Sequence, residues 1–310
     1  MKRYRIAFLA LALALIAAPL GAQTKDKITV AFPTVDPTAE VLYAYDMGFF
    51  DKEGLDVTLT PLPNGGAIAA GVASGQLDFG VGNVIAIEEA HSKGVPLMVV
   101  APGQVNIDSA PSNVLIVAKN SPLQKASDLN GKTIATNPLR GIGDLMTSAW
   151  IDKHGGDSST VKYIEIPFPQ AESVVTQGRA DASLSVEPFI TQSKADTRVF
   201  ANTFDVLGDG YLITAYFAAG PWAAAHPAIV AKFQAAIREA GDWANRNQAQ
   251  SALILAKYAK LDPDVVKQTI RARYALALNP GQLQPTIDDA AKYKFIDSVF
   301  PAQDIIYQAK

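Results

Sequence analysis

The residues best suited to chemistry are few, and they stand at the ends of short apolar runs. Arg140 lies in Asn137-Pro138-Leu139-Arg140-Gly141-Ile142-Gly143, between a strand-like run, Thr133 to Thr136, and a helix that the pattern starts near Gly143 or Asp144. A loop that opens a helix leaves backbone N–H groups unpaired at its mouth, which suits an anion. The planar fork of an arginine in that loop could grip a carboxylate or sulfonate. The plainer alternative is an ordinary strand-to-helix connection with a solvated arginine. The stretch is not a nucleotide fingerprint, because Met146 stands where the third glycine belongs.

Glu187 precedes Pro188 at the end of the run Ala182 to Val186. There it could accept from an amine or ring N–H, orient Arg140, or serve as a structural acceptor for loop amides. Asn83 ends another strand-like run, where facing a ligand and capping the following helix are both open to it. Phe32 and Phe168 also stand at strand ends and could sandwich a flat ligand; a place in the core is the alternative. Thr34, Asn64, Gly65, Asn137 and Gly141 complete the candidate ligand-binding set. His91, His154 and His226 are scattered without metal-ligand spacing. No serine, histidine and acid stand in a motif for nucleophilic catalysis. Asp78 and Asp181 read as turn and cap residues. The expectation is no cofactor, no metal and no catalytic group.

Composition narrows the setting. The opening MKRYR, the apolar run Ile6 to Ala18, then Pro19, Gly21 and Ala22 read as a secretory signal, residues 1–22, cleaved near Ala22. That run is too short to suit a membrane span. The chain has no cysteine, which removes a lipid anchor on cysteine, disulfides and thiolate metal sites. Loss of Lys2, Arg3 and Arg5 with the signal moves the net charge from −3 to −6, which argues against nucleic acid as a partner. The expected product is a periplasmic monomer without lipid.

The elements that must position these residues alternate between strand and helix. Strands are expected at residues 27–32, 55–60, 79–82, 97–101, 114–119, 133–136, 161–166, 182–186 and 211–218. Gly75-x-x-Asp78 and Gly178-x-x-Asp181 recur between a helix and a strand, so the chain holds two α/β units with the same element order. Alternation implies mainly parallel sheets, and in such sheets ligands bind beyond the carboxyl ends of the strands. Two units with facing rims describe a cleft. The expected division is a first lobe of residues 23–111 plus 219–310 and a second of 112–218, with the chain crossing near 105–113 and again after 218. Helices are expected at about 226–245, 249–259, 263–274 and 283–300, packed on the first lobe.

GFFDKEGLDVTL, GVASGQLDFGVGNV, DLNGKTIAT, GRADASLSVEPF and the helix after Ala225-His226-Pro227 resemble the sulfonate/nitrate/taurine-type substrate-binding proteins of ABC importers, a family grouped with thiamin-pyrimidine synthase-like proteins. The resemblance runs through essentially the whole chain after the signal. It implies a type II periplasmic binding fold, two α/β lobes around a ligand cleft that closes on a small molecule. It also implies a receptor that delivers its ligand to a permease and ATPase of the inner membrane. Pro138-Leu139-Arg140 stands where many sulfonate binders have a small Gly/Ser-rich loop, which counts against a simple alkanesulfonate; the expected ligand is a small organic anion of the sulfonate or aromatic carboxylate type. Binding of a pyrimidine or thiamin precursor, or a thiamin-pyrimidine biosynthetic enzyme, are the alternatives. The enzyme carries a cysteine-rich motif that this chain lacks.

Overall fold

A computed structural model describes residues 24–63 and 65–309, so the expected signal segment and the candidate Asn64 lie outside the described residues. Among the described residues twelve strands are seen: β1 Asp26–Phe32, β2 Leu55–Pro61, β3 Phe79–Asn83, β4 Leu97–Pro102, β5 Gln104–Val105, β6 Asn113–Ala118, β7 Thr133–Thr136, β8 Lys162–Glu165, β9 Ala182–Val186, β10 Thr197–Ala201, β11 Thr214–Ala219 and β12 Arg273–Tyr274. They form one sheet in the order β2-β1-β3-β11-β4, a second in the order β10-β6-β9-β7-β8, and a small β12-β5 ribbon. Both larger sheets are mainly parallel. One strand is reversed in each: β11 runs antiparallel to β3 and β4, and β6 antiparallel to β9 and β10.

The two sheets repeat one plan. β1 pairs in parallel with β2 and β3, as β7 does with β8 and β9. The repeated aspartates fasten this plan. Asp78 accepts from the backbone N of Thr29 at 2.7 Å and Asp181 from that of Thr133 at 2.9 Å, each tying the turn before the third strand to the first. A carboxylate there satisfies an N–H that the ladder leaves unpaired.

The second crossing departs from expectation. β11 sits between β3 and β4 in the first sheet, so the chain has already returned by Thr214 and the strand does not belong to the second lobe. The two crossings run side by side: Asn106 N donates to Tyr211 O at 2.9 Å, and Gly210 N to Asn106 O at 3.0 Å. Beyond β11 the helix Pro227–Arg246 covers the first sheet, with Phe233 stacked on Phe79 and Phe50. Two of the later helices are shorter than their periodicity predicts. The first stops at Val266, because the backbone N–H groups of Ile270 and Ala272 are drawn off to Glu187 and Asp36. The other spans Gln284–Lys292. Among the described residues no helix is long and apolar enough to cross a membrane.

Candidate functional site

The strand ends meet across a closed cleft. From the first lobe come Pro33 and Val35 after β1, Gly65, Gly82 and Asn83 at the end of β3, and Thr214 at the start of β11. The second lobe supplies Asn113, Asn137, Pro138, Ile142, Phe168, Leu184 and Val186. Together they enclose about 60 Å³ measured to the centres of water-sized spheres, several times the roughly 10–15 Å³ that one water needs. Ile142, Leu145 and Leu184 of the second lobe share one buried apolar cluster with Ile68, Val84 and Ile213 of the first. The lobes are therefore packed together in this state.

No charged side chain lines this cavity among the described residues. Its polar groups are mostly committed in direction. Asn83 caps the helix Val84–Ser92, its Oδ1 accepting from Ala86 N at 3.3 Å, so its amide N–H2 remains as the donor end beside Gly65. Asn137 Nδ2 donates to Ile166 O at 2.9 Å and leaves Oδ1 as an acceptor. Thr38 spends its hydroxyl hydrogen on Pro33 O at 2.5 Å, and Thr214 donates to Pro37 O at 3.1 Å. A ligand here meets a donor from one lobe and an acceptor from the other.

Arg140 is not in this cavity. Its φ of 56° is left-handed, and its backbone N donates to Asp144 Oδ2 at 2.8 Å. The side chain runs outward across the cleft rim to the first lobe, where Nε meets Glu89 at 3.3 Å and Nη2 meets the carbonyls of Lys294 and Phe295. Gly141 borders the same outer recess. The expected anion cradle is also occupied from within. Asp144 lies in the first turn of the helix Ile142–Lys153 and is almost fully buried, where a negative charge is favoured by the helix dipole. Burial raises its pKa to about 6.

Glu187 and Phe32 also take structural places. The Glu187 carboxylate is buried and accepts from Thr191 N, Thr191 Oγ1 and Ile270 N at 3.1, 2.9 and 3.2 Å. It is a structural acceptor that joins β9 to the C-terminal segment. Phe32 is in phase with Ile28 and Val30 on one face of β1, which sends its ring into the helix-covered core. No sandwich with Phe168 forms. Phe168, in a 3-10 turn after β8, escapes that parity and faces the cleft, and Thr34 lines the outer mouth.

Known proteins share this fold. Residues 37–251 match the family model described as NMT1/THI5 like, a span that reaches from the first turn beside Thr38 past β11. The chain belongs to the NMT1/THI5-like family. A Brucella abortus protein, named for binding without a stated ligand, is 28% identical over 265 residues, covering 83% of this chain and 80% of its own. In fold, the chain is similar to the alkanesulfonate-binding protein SsuA of Xanthomonas axonopodis pv. citri bound to MOPS, with a TM-score of 0.77 at 18% identity over 93% of this chain and all of that one. It is likewise similar to the nitrate-binding protein NrtA of Synechocystis PCC 6803, with a TM-score of 0.75 at 15% identity over 91% of this chain and 85% of that one.

In this NMT1/THI5-like chain, the strand-end rule also missed residues that line the cavity. Asn113 and Thr214 stand at the amino ends of β6 and β11, the two reversed strands, whose amino ends face the cleft. The signal was their position just after each crossing. Thr38 is held by a buried hub on Asp36. That carboxylate pairs with Arg271 at 2.7 Å and accepts from Ala272 N at 2.6 Å, while its backbone N donates to Glu187 O at 3.1 Å.

Proposed function

We propose that this protein is the periplasmic substrate receptor of an ABC importer. It captures a small organic molecule between its lobes and presents the closed form to a permease and its ATPase. The observation that carries the reading is the cavity itself, enclosed by strand ends of both lobes and reached by two paired crossings that can flex as a hinge. A ligand bridging both rims favours the closed arrangement. Among the described residues the lining side chains carry no cysteine, histidine, acid or base, which suits holding a ligand.

For the ligand, the geometry favours a neutral head group that both donates and accepts hydrogen bonds, the class to which pyrimidines belong. Asn137 Oδ1 asks for a donor and the Asn83 amide for an acceptor. A sulfonate or carboxylate supplies acceptors alone, and the expected cation, Arg140, is turned away. The organic-anion reading keeps one specific support: the helices Gly65–Ala73, Val84–Ser92 and Ile142–Lys153 all begin at the cavity. A thermal-shift panel decides between them, setting uracil and nicotinamide against benzoate, alkanesulfonates and nitrate. A ligand at ~100 times its Kd adds about 2.7 kcal/mol to stability. Stabilisation by the neutral set supports the reading; stabilisation by the anions alone overturns the neutral head and returns the anion.

A further inference from the structure

The inner cavity opens into a larger mouth, about 240 Å³ on the same measure. Its first-lobe wall is Pro33, Pro61, Leu62 and Pro63, and its second-lobe wall includes Phe168 and Phe189. Pro33, Val35 and Phe168 line both spaces, so one molecule can occupy the two at once. The wall chemistry is unusual for an entrance that only admits water. Five of its residues are prolines, which bring no N–H for a solvent or ligand oxygen to meet, and Thr34 is the one polar side chain among the described lining residues. Apolar and aromatic walls with polar groups confined to one end are the mark of a ligand pocket. The Phe168 and Phe189 rings of the second lobe are only partly buried here, and they share the mouth with the half-buried Pro33 and Leu62 of the first.

We propose that the ligand carries, beyond the head group in the inner cavity, a flat apolar ring that lodges in this mouth between Pro33, Leu62, Phe168 and Phe189. The proposal rests on the receptor reading above. The ring serves as the part of the ligand that fixes specificity, because proline and phenylalanine faces pack on a flat ring and leave a charged or bulky polar tail unsolvated. It also spans the lobes, so its burial favours closure.

The test is a titration of the full mature chain with three matched pairs: acetamide and benzamide, acetate and benzoate, methanesulfonate and benzenesulfonate. The expected result is at least tenfold tighter binding of the ring-bearing member in one pair, with that gain cut to about threefold or less by Phe168→Ala and by Phe189→Ala. Phe168 packs partly against the apolar cluster between the lobes, whereas Phe189 belongs to none of the core clusters, so Phe189→Ala tests the mouth without disturbing the core. Ringless members binding as well as their partners would overturn the ring subsite while leaving the receptor reading in place. A ring gain that survives both substitutions would place the ring elsewhere and overturn the proposal. No binding by any of the six would overturn the ring subsite and leave the receptor reading to the thermal-shift panel.

Discussion

The guanidinium of Arg140 lies 5.0 Å from the centroid of the Phe295 ring, and its Nη2 donates to the Lys294 and Phe295 carbonyls at 3.1 and 2.8 Å. These residues belong to opposite lobes. They meet at the rim of the cleft and not inside the cavity, a position from which the contact bridges the two lobes. An exposed cation–π contact is worth roughly 0.5–1 kcal/mol, and the carbonyl bonds and the ion pair with Glu89 add to it.

Arg140→Gly should therefore weaken every ligand by a similar factor, roughly three- to tenfold, by lowering the population of the closed form. Glycine takes the φ of 56° without strain, so the loop keeps its shape and only the latch is lost. Small-angle scattering should show a larger radius of gyration at subsaturating ligand. A loss confined to anionic ligands would instead place the guanidinium on the ligand.

Glu187→Gln should cost stability and spare affinity. One of the carboxylate oxygens becomes an N–H2 that faces the donors Thr191 and Ile270, which leaves a buried group unpaired at a cost of about 1–3 kcal/mol. Urea unfolding reports the loss. Titration with any ligand found by the thermal-shift panel should stay within twofold of the parent protein, and a tenfold loss there would restore Glu187 as a ligand anchor.

Asp36→Asn breaks the buried pair with Arg271, whose two partners are 0% and 6% exposed. Removing one member of such a pair leaves the other charge buried alone and typically costs about 3–5 kcal/mol. The chevron or equilibrium midpoint in guanidinium chloride measures it. A change under 1 kcal/mol would mean that the hub around Thr38 does not depend on this charge.

Glu88 governs a pH dependence. It is fully buried, with Oε1 accepting from Thr286 Oγ1 at 2.7 Å and Oε2 without a partner, and burial raises its pKa from 4.5 to about 8. Between those values the native state holds a proton that the unfolded chain has released. The stability from this group is whole below pH 4.5 and falls as pH rises toward 8, by up to about 1.4 kcal/mol per unit. Urea unfolding at pH 5, 6.5 and 8 should show Glu88→Gln with a shallower decline than the parent protein. Parallel slopes would mean that Glu88 ionises normally.

The local and periodic features were legible in the chain itself. Runs such as Ala182 to Val186, the glycine stops, and the paired Gly-x-x-Asp turns depend on residues close in sequence, so alternation of strand and helix, two like units and a cleft at strand ends could be read directly. Loop arginines and strand-end side chains are different, because their partners lie far away in sequence. Arg140 was turned outward by Phe295, more than 150 residues on, and Glu187 was claimed by Ile270. The direction of β6 and β11 decided that Asn113 and Thr214 face the cleft, and no local signal encodes the direction in which a strand joins a sheet. Residue 270 and its neighbours left the helix their pattern favours because Glu187 and Asp36, buried acceptors, offered their N–H groups better-desolvated partners. Side-chain type fixes what a residue can do; which group it meets is settled only when the lobes pack, since desolvation and hydrogen-bond completion are properties of the assembled fold.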